Sequence, residues 1–132
     1  MIALNIEPGR NSPLIRYDEA ENKLLVKGIS TLADPRLFYK TLVDWLDSHE
    51  QELRDDTIFE FNLPYFNSGN NKCVFHVLDK IREHILHGKK YQVLWCVEED
   101  DEFMQESGEA ISEVLNMNFT YKKVAFNQDR LF

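Results

Sequence analysis

The sequence contains no apolar run that approaches the roughly 20 residues needed for a membrane-spanning helix. Residues 1–10 lack the basic head, apolar run and small-residue cleavage site of a secretory signal. Cysteine is also scarce, and Cys73 and Cys96 form neither a C-x-x-C pair nor a spacing typical of metal ligands. We therefore expect a cytoplasmic protein with two reduced, buried thiols, no membrane association and no metal ion.

The composition shows neither the polarity of a disordered chain nor the length of a two-domain protein. The chain has 132 residues, of which 43% are hydrophobic and 29% are charged, and these values are close to those of an ordinary globular domain. Basic residues number 15 against 23 acidic residues, which gives a formal net charge of −8. Because affinity for nucleic acid rests largely on Lys and Arg that neutralise phosphates, nucleic acid is not an expected partner. The sequence predicts one domain over residues 1–132.

Basic residues are absent between positions 91 and 121. This segment contains eight acidic residues and no Lys or Arg, whereas the rest of the chain is formally neutral. Its first part, Glu98–Glu102, precedes a predicted helix, where negative charge complements the helix dipole, and it lacks the alternating pattern of a calcium-binding loop. Two interpretations stay open for the acidity that continues to Glu113: a face that steers basic partners, or a face that only maintains solubility.

Apolar periodicity divides the chain into a β-rich start followed by alternating helices and strands. Strands are predicted at Ile2–Ile6, Leu14–Tyr17, Leu24–Ile29, Thr57–Leu63, Tyr91–Val97 and Phe119–Phe126. Helices are predicted at Pro35–Leu53 with Asp34 as the N-cap, from about Asn70 to Gly88, and from Phe103 to Leu115. The apolar run at Tyr91–Val97 predicts a strand covered on both faces. The order β-β-β-α-β-α-β-α-β predicts an α/β fold with a mixed sheet and three packed helices.

Several aromatic and imidazole side chains have ordinary structural interpretations. Trp45 and Trp95 lie among apolar residues and are expected in the core. The adjacent aromatics Tyr65 and Phe66 either staple the second helix to the sheet or stand exposed as an anchor for a partner. Solvated positions are expected for the three histidines of the second helix: His76, His84 and His87.

Ser68 lies in the loop that leaves the carboxyl end of the fourth predicted strand, a place where ligands gather in βαβ units. At or just before the first turn of the second helix, free backbone N–H groups and the positive dipole end favour an anion. Gly69 leaves space for a bulky group, and Lys72 adds a positive charge one turn further on. A simpler interpretation is that Ser68 only caps the helix. A nucleophilic role is weakly indicated, because no G-x-S-x-G motif surrounds Ser68.

Two segments give the sequence a family resemblance. EFNLPYFNSGNNK (60–72), followed by an apolar helix, and LWCVEEDDEFMQESGEAI (94–111) resemble the SiaC-like regulatory phosphoproteins, which are related in fold to the STAS-type anti-sigma-factor antagonists. The opening IEPGRNSPLIRYDEAENKLLVKGIS (6–30) and the helix around Trp45 also fit, so the resemblance covers nearly the whole chain. It implies a single STAS-like domain.

The resemblance also implies a non-enzymatic signalling switch without a cofactor. Ser68 would be phosphorylated by a GHKL-type protein kinase and dephosphorylated by a PPM-type phosphatase, and the unphosphorylated form would bind and activate a diguanylate cyclase. The family more often has threonine followed by small hydroxyl residues, whereas here glycine and two asparagines follow Ser68. The partner surface would comprise the residues around the switch: Tyr65, Phe66, Asn67, Gly69, Asn70, Asn71 and Lys72.

Two alternatives from other functional classes stay open. One is a small hydrolase or transferase that uses Ser68 as a transient nucleophile. The other is a constitutive binding module that is never phosphorylated. For the switch protein, a monomer is expected.

Overall fold

The computed structural model describes residues 2–125, and within them the predicted order of strands and helices is confirmed. The strands of the described sheet are β1 (Leu4–Ile6), β2 (Leu14–Asp18), β3 (Lys23–Lys27), β4 (Ile58–Asn62), β5 (Gln92–Glu98) and β6 (Phe119–Val124). The helices that connect the last four strands are α1 (Arg36–Ser48), α2 (Ser68–Leu86) and α3 (Glu102–Leu115). The predicted end of the last strand at Phe126 lies outside the described residues.

The strands follow one another across the sheet in chain order, from β1 to β6. The pairs β1–β2 and β2–β3 are antiparallel, whereas β3, β4, β5 and β6 are parallel. Each parallel strand is added on the same side of the previous one, so right-handed crossovers place α1, α2 and α3 on one face of the sheet. The prediction of an α/β fold with a mixed sheet and three packed helices is confirmed.

Within residues 2–125, helices cover β5 on one face only. Trp95 belongs to the hydrophobic core beneath the helices, whereas Leu94 points to the other face and is half-buried. Cys96, on that same face, is buried beside the Glu60 carboxyl group of β4, with 3.7 Å between Sγ and Oε2. The sequential strand order places the three described helices on the face of Trp95, so within residues 2–125 no helix covers the face of Leu94 and Cys96.

Both tryptophans lie in the core, as predicted. Trp45 Nε1 donates a hydrogen bond to the Ala3 carbonyl oxygen at 3.0 Å, and Trp95 Nε1 donates to the Met104 carbonyl oxygen at 3.1 Å. Gly108 of α3 lies directly against the Trp95 indole, since a Cβ at this position would lie 2.6 Å from Nε1. α3 can approach β5 this closely only because residue 108 has no side chain.

The ends of α1 differ from the prediction. Pro35 is the N-cap and not the first helical residue, although Asp34 Oδ1 accepts a hydrogen bond from a backbone N–H of the first turn at 3.4 Å. The helix ends at Ser48 and not at Leu53, because a turn follows in which the Leu53 N–H donates to the His49 carbonyl oxygen at 2.9 Å. The buried Leu53 extends the apolar pattern beyond the helix without being helical.

His84 is fully buried, so its prediction as a solvated residue is wrong, whereas His76 and His87 are exposed as predicted. His84 Nε2 lies 2.9 Å from Asp47 Oδ1 of α1, and Lys80 Nζ lies 3.2 Å from Asp47 Oδ2. Burial alone would raise the pKa of Asp47, but the hydrogen bonds from His84 and Lys80 lower it below its usual value. Packing of α2 against α1 supplies the polar partner that allows an imidazole to be buried.

Cys73 and Cys96 are free thiols and both are buried, as predicted. Burial raises the pKa of the Cys73 thiol, which keeps it in the protonated form at neutral pH. Among residues 2–125, no helix has the length and apolarity needed to cross a membrane.

Candidate functional site

The loops that follow the parallel strands meet at one edge of the sheet, where the three helices begin. The loop from β4 to α2 lies beside the loop that follows β3. Ser30 forms an isolated parallel bridge with Phe66, and the Ser30 N–H donates a hydrogen bond to the Tyr65 carbonyl oxygen at 3.1 Å. This pairing fixes the point from which α2 starts.

The N-cap of α2 is Asn67 and not Ser68. The Asn67 backbone is extended, and its Oδ1 accepts a hydrogen bond from the Asn70 N–H at 3.1 Å. Ser68 is the first residue of the helix, two positions before the predicted start. Its side chain is exposed, and its hydroxyl forms no hydrogen bond within residues 2–125. The interpretation of Ser68 as a cap is therefore wrong, and its hydroxyl has no structural task in the described part of the chain.

Asn70 joins the two loops through a buried polar network. Its Oδ1 accepts hydrogen bonds from Ser30 Oγ at 2.8 Å and from the Leu32 N–H at 3.2 Å. Its Nδ2 donates to the Leu32 carbonyl oxygen at 2.9 Å and to Asn67 Oδ1 at 2.7 Å. The Ser30 hydroxyl also lies 2.5 Å from that of Tyr39, whose burial raises its pKa to about 12. The network ties the cap of α2 to the loop after β3 and to α1.

Ser30 and Tyr39 belong to the site without having been predicted from the sequence. A signal for Ser30 was present, because it directly follows the third predicted strand and so comes to the same sheet edge as Ser68. Tyr39 lies among apolar positions of α1, and a phenol buried there requires a hydrogen-bond partner. The identity of that partner depends on the tertiary arrangement.

The residues predicted to form the partner surface are only partly at the surface. Tyr65 is 53% exposed and so can anchor a partner. Phe66 and Asn70 are buried, so their side chains are not exposed to a partner in this structure. Phe66 packs against Trp95 in an edge-on arrangement with ring centroids 6.3 Å apart, so it staples α2 to the sheet. The other predicted contact residues are exposed or half-buried: Asn67, Gly69, Asn71 and Lys72.

Gly69, next to Ser68, faces open space. A Cβ at this position would have only Asn67 Oδ1 within 4 Å, at 3.9 Å. Packing therefore does not require glycine at position 69, in contrast to Gly108. The missing side chain leaves a path by which a bulky group can approach Ser68.

An open groove of about 510 Å³ lies beside Ser68, between the first turns of α1 and α2. Its α1 side carries an ion pair between Asp34 and Arg36 with an N–O distance of 2.9 Å, and the hydrogen bond from Arg36 lowers the pKa of Asp34. Lys72, on the α2 side, is exposed and has no ion-pair partner within residues 2–125. Lys72 thus contributes an uncompensated positive charge one turn from Ser68.

The acidic segment begins at the same edge of the sheet, at the end of β5. Asp101 is the N-cap of α3 and accepts a hydrogen bond from the Met104 N–H at 3.0 Å. This contact confirms that part of the acidity belongs to a helix start. No group of three or more His, Cys, Asp or Glu side chains in the described part of the chain is arranged to hold a metal ion.

Ser68 lacks the partners of a catalytic nucleophile. Over residues 2–125, no imidazole or carboxylate hydrogen-bonds to its hydroxyl, and a nucleophilic serine needs such a base within about 3 Å. An exposed hydroxyl on the first residue of a helix is well placed to carry a phosphoryl group. Free backbone N–H groups and the positive end of the helix dipole stabilise the added charge.

Comparison with known proteins gives one family. The sequence model of the SiaC family regulatory phosphoproteins matches residues 6–124. The structure of apo-SiaC from Pseudomonas aeruginosa is similar, with 21% identity, a TM-score of 0.78 and coverage of 95% of this chain and 100% of that chain. A similar chain occurs in the complex of the diguanylate cyclase SiaD with its activator SiaC from Pseudomonas aeruginosa, with 20% identity, a TM-score of 0.79 and coverage of 93% and 99%. No curated protein sequence matches the chain significantly.

Proposed function

Because the family model spans residues 6–124, the chain belongs to the SiaC family of regulatory phosphoproteins, and we propose that it is a non-enzymatic signalling switch that is reversibly phosphorylated on Ser68. The observation that carries this proposal is the position and exposure of the Ser68 hydroxyl. It is the first residue of α2, it is exposed, and its hydroxyl has no hydrogen-bond partner within residues 2–125. Since Asn67 caps the helix, a phosphate on Ser68 leaves the cap intact.

The expected effect of phosphorylation is local and electrostatic. A phosphate adds a charge of roughly −1.5 to −2 and three acceptor oxygens at one position. Around Ser68 the surface offers the exposed Tyr65 ring, the open space at Gly69 and the positive charge of Lys72. A partner that packs on Tyr65 and Gly69 has to desolvate the phosphate or lose the contact, so the unphosphorylated form is the binding form.

The proposal also includes a kinase and a phosphatase that act on Ser68 and a partner protein that the switch regulates. By family resemblance, a GHKL-type kinase phosphorylates Ser68 and a PPM-type phosphatase restores the hydroxyl. The proposed output partner is a diguanylate cyclase, which is supported by the complex in which the similar protein SiaC is the activator of the cyclase SiaD. We place the switch in the cytoplasm, as a monomer in its free form.

A phosphorylation assay with matched serine variants tests the proposal. Incubation with ATP and the cognate kinase is expected to add about 80 Da to the peptide that contains Ser68. Ser68→Ala abolishes the gain, whereas Ser48→Ala, at an exposed serine at the end of α1, keeps it. A folded chain that gains no mass with an active kinase, or a gain that persists in Ser68→Ala, contradicts the assignment.

The binding step needs a separate measurement. The affinity for the diguanylate cyclase is expected to fall at least about tenfold when Ser68 is phosphorylated, and Tyr65→Ala is expected to weaken the unphosphorylated complex. Equal affinity in the two states would identify the chain as a constitutive binding module.

A further inference from the structure

The side chains of α3 form three adjacent rows along the helix, each shifted by one position. The first row is buried against the sheet: Met104, Gly108, Ile111 and Leu115. The second, which we call the apolar row after the large apolar side chains at its two ends, is exposed or half-buried and includes one serine: Phe103, Ser107, Ala110 and Val114. The third, the glutamate row, is exposed throughout: Glu102, Glu106, Glu109 and Glu113. A shift of one position is about 100° around a helix, so the apolar row lies between the buried row and the glutamate row.

The apolar row lies on the flank of α3 that is turned towards α2. The opposite flank contacts the β6 side, since Gln105 accepts a hydrogen bond from Lys123 at 3.5 Å and Ser112 donates to the Met117 carbonyl oxygen. On α2, the exposed Leu86 lines an open cavity of about 380 Å³ together with residues at the end of α3. The space between the ends of α2 and α3 is therefore open, and both polar and apolar residues line it.

The apolar row has the exposure and the spacing of an unpartnered helix seam. Phe103 is 66% exposed and Val114 is 72% exposed. The steps between members of the row are four, three and four residues, which is the spacing by which helices pack side by side. The row extends over about 16 Å, or three helical turns, a length that matches one short helix.

The negative charge of the glutamate row determines which kind of partner can bind at the apolar row. Residues 91–121 contain no Lys or Arg, and none of the four members of the glutamate row forms an ion pair within residues 2–125. A second copy of this chain would bring two such rows together, and anionic lipid or nucleic acid would meet the same repulsion. A surface that carries Lys or Arg gains attraction instead.

We propose that the apolar and glutamate rows of α3 form a docking surface for one helix of a partner protein, a helix whose apolar stripe is flanked by Lys or Arg. This surface goes beyond the Ser68 switch, because it lies on a different helix and keeps its charge in both phosphorylation states. The apolar row supplies the buried contact. The glutamate row favours a partner of positive charge and increases its association rate.

A pair of synthetic helical peptides tests the surface. Both peptides have about 21 residues with Leu at the seam positions; one has Lys on the flanks and the other has Glu. Fluorescence anisotropy with the full chain is expected to show binding of the Lys peptide at least about tenfold tighter than the Glu peptide at low salt. Amide shift changes in heteronuclear NMR spectra are expected to follow α3 and the facing side of α2.

Matched variants of the chain assign the binding to the rows. Phe103→Ser is expected to weaken binding of the Lys peptide about tenfold, whereas Leu37→Ser, at an apolar residue of similar exposure on α1, changes the affinity less than about twofold. Replacing Glu106, Glu109 and Glu113 by Gln is expected to remove most of the salt dependence. All these sites are exposed, and circular dichroism checks that the variants fold.

Several results would overturn the docking surface. The first is equal affinity for the two peptides. The second is an equal loss of affinity for the Lys peptide in Phe103→Ser and Leu37→Ser. The third is a set of NMR shift changes centred away from α3. Sedimentation that shows a dimer dissolved by Phe103→Ser would identify a second copy as the occupant. The measurements are repeated on Ser68→Ala, which cannot be phosphorylated at that position, so failure of the phosphorylation proposal leaves this test unaffected.

Discussion

Gly108→Ala is expected to destabilise the protein, because the new methyl group has no space. The added Cβ would lie 2.6 Å from Nε1 and 2.7 Å from Cδ1 of Trp95, about 1 Å inside the ordinary contact distance. Trp95 is 1% exposed, donates a hydrogen bond to the Met104 carbonyl oxygen and stacks on Phe119 with centroids 5.7 Å apart. The indole therefore cannot move aside without loss of these contacts.

The magnitude follows from two opposing contributions. Overpacking of a tight core costs about 1 to 3 kcal/mol, and a fixed indole places this site at the upper end. Alanine is favoured over glycine within a helix by about 1 kcal/mol. The net expectation for Gly108→Ala is a loss of about 2 kcal/mol in the free energy of unfolding.

Urea unfolding followed by tryptophan fluorescence measures this loss, and Gly69→Ala is the matched control. Both glycines are helical, but a Cβ at position 69 meets only Asn67 Oδ1, at 3.9 Å. Gly69→Ala is therefore expected to be neutral or to stabilise by up to about 1 kcal/mol. A Gly108→Ala variant as stable as Gly69→Ala would refute the close approach of α3 to Trp95.

Three further predictions concern the start of α2 and the contact between α1 and α2. Asn67→Ala is expected to lower the free energy of unfolding by about 1 kcal/mol, because it removes the N-cap of α2, whereas Ser68→Ala is expected to lower it by less than about 0.5 kcal/mol. Chemical denaturation measures both losses, and the reverse order would show that Ser68 is the cap. Asn70→Ala is expected to cost about 2 to 4 kcal/mol, because it leaves buried partners unsatisfied, and a loss below about 1 kcal/mol would show that the network is dispensable. Because the folded-state pKa of Asp47 is lowered, its stabilising contact with His84 is present above the unfolded pKa of about 4 and lost as the pH falls through the folded value. Asp47→Asn is thus expected to lose less stability than the parent chain in denaturation between about pH 5 and pH 2, and identical pH profiles would contradict this linkage.

The parts of the fold that sequence predicted are those that local patterns determine. Apolar periodicity and turn residues placed each strand and helix in the right order, and most boundaries fell within a few residues. The boundaries that differ from the prediction depend on hydrogen bonds to the backbone at the ends of the helices. The side chain of Asn67 starts α2 two residues early, and the turn at His49 ends α1 before the buried Leu53. Periodicity detects burial, but it does not detect where the helical backbone stops.

The errors at His84 and Asn70 arise from contacts between elements that are distant in sequence. Periodicity placed His84 on a polar flank of α2, and only the packing against α1 brings Asp47 to its Nε2. Asn70 lies in a polar loop sequence that predicts exposure. Its side-chain amide is nevertheless hydrogen-bonded to Ser30 and Leu32, which lie about 40 residues earlier in the chain. In contrast, the position of Ser68 at the start of α2 could be predicted from sequence, because local turn and helix-start residues determine it.

The position of the net charge links the two proposed surfaces. The acidic excess of the chain lies entirely within residues 91–121, and its exposed part continues along α3 as the glutamate row. The surface around Ser68 instead carries the uncompensated charge of Lys72. A phosphate of about −2 therefore reverses the sign of the Ser68 surface, whereas the same charge added to α3 would only increase an existing excess. A partner that contacts both surfaces would thus show a salt-dependent association rate governed by α3 and a dissociation rate governed by the state of Ser68.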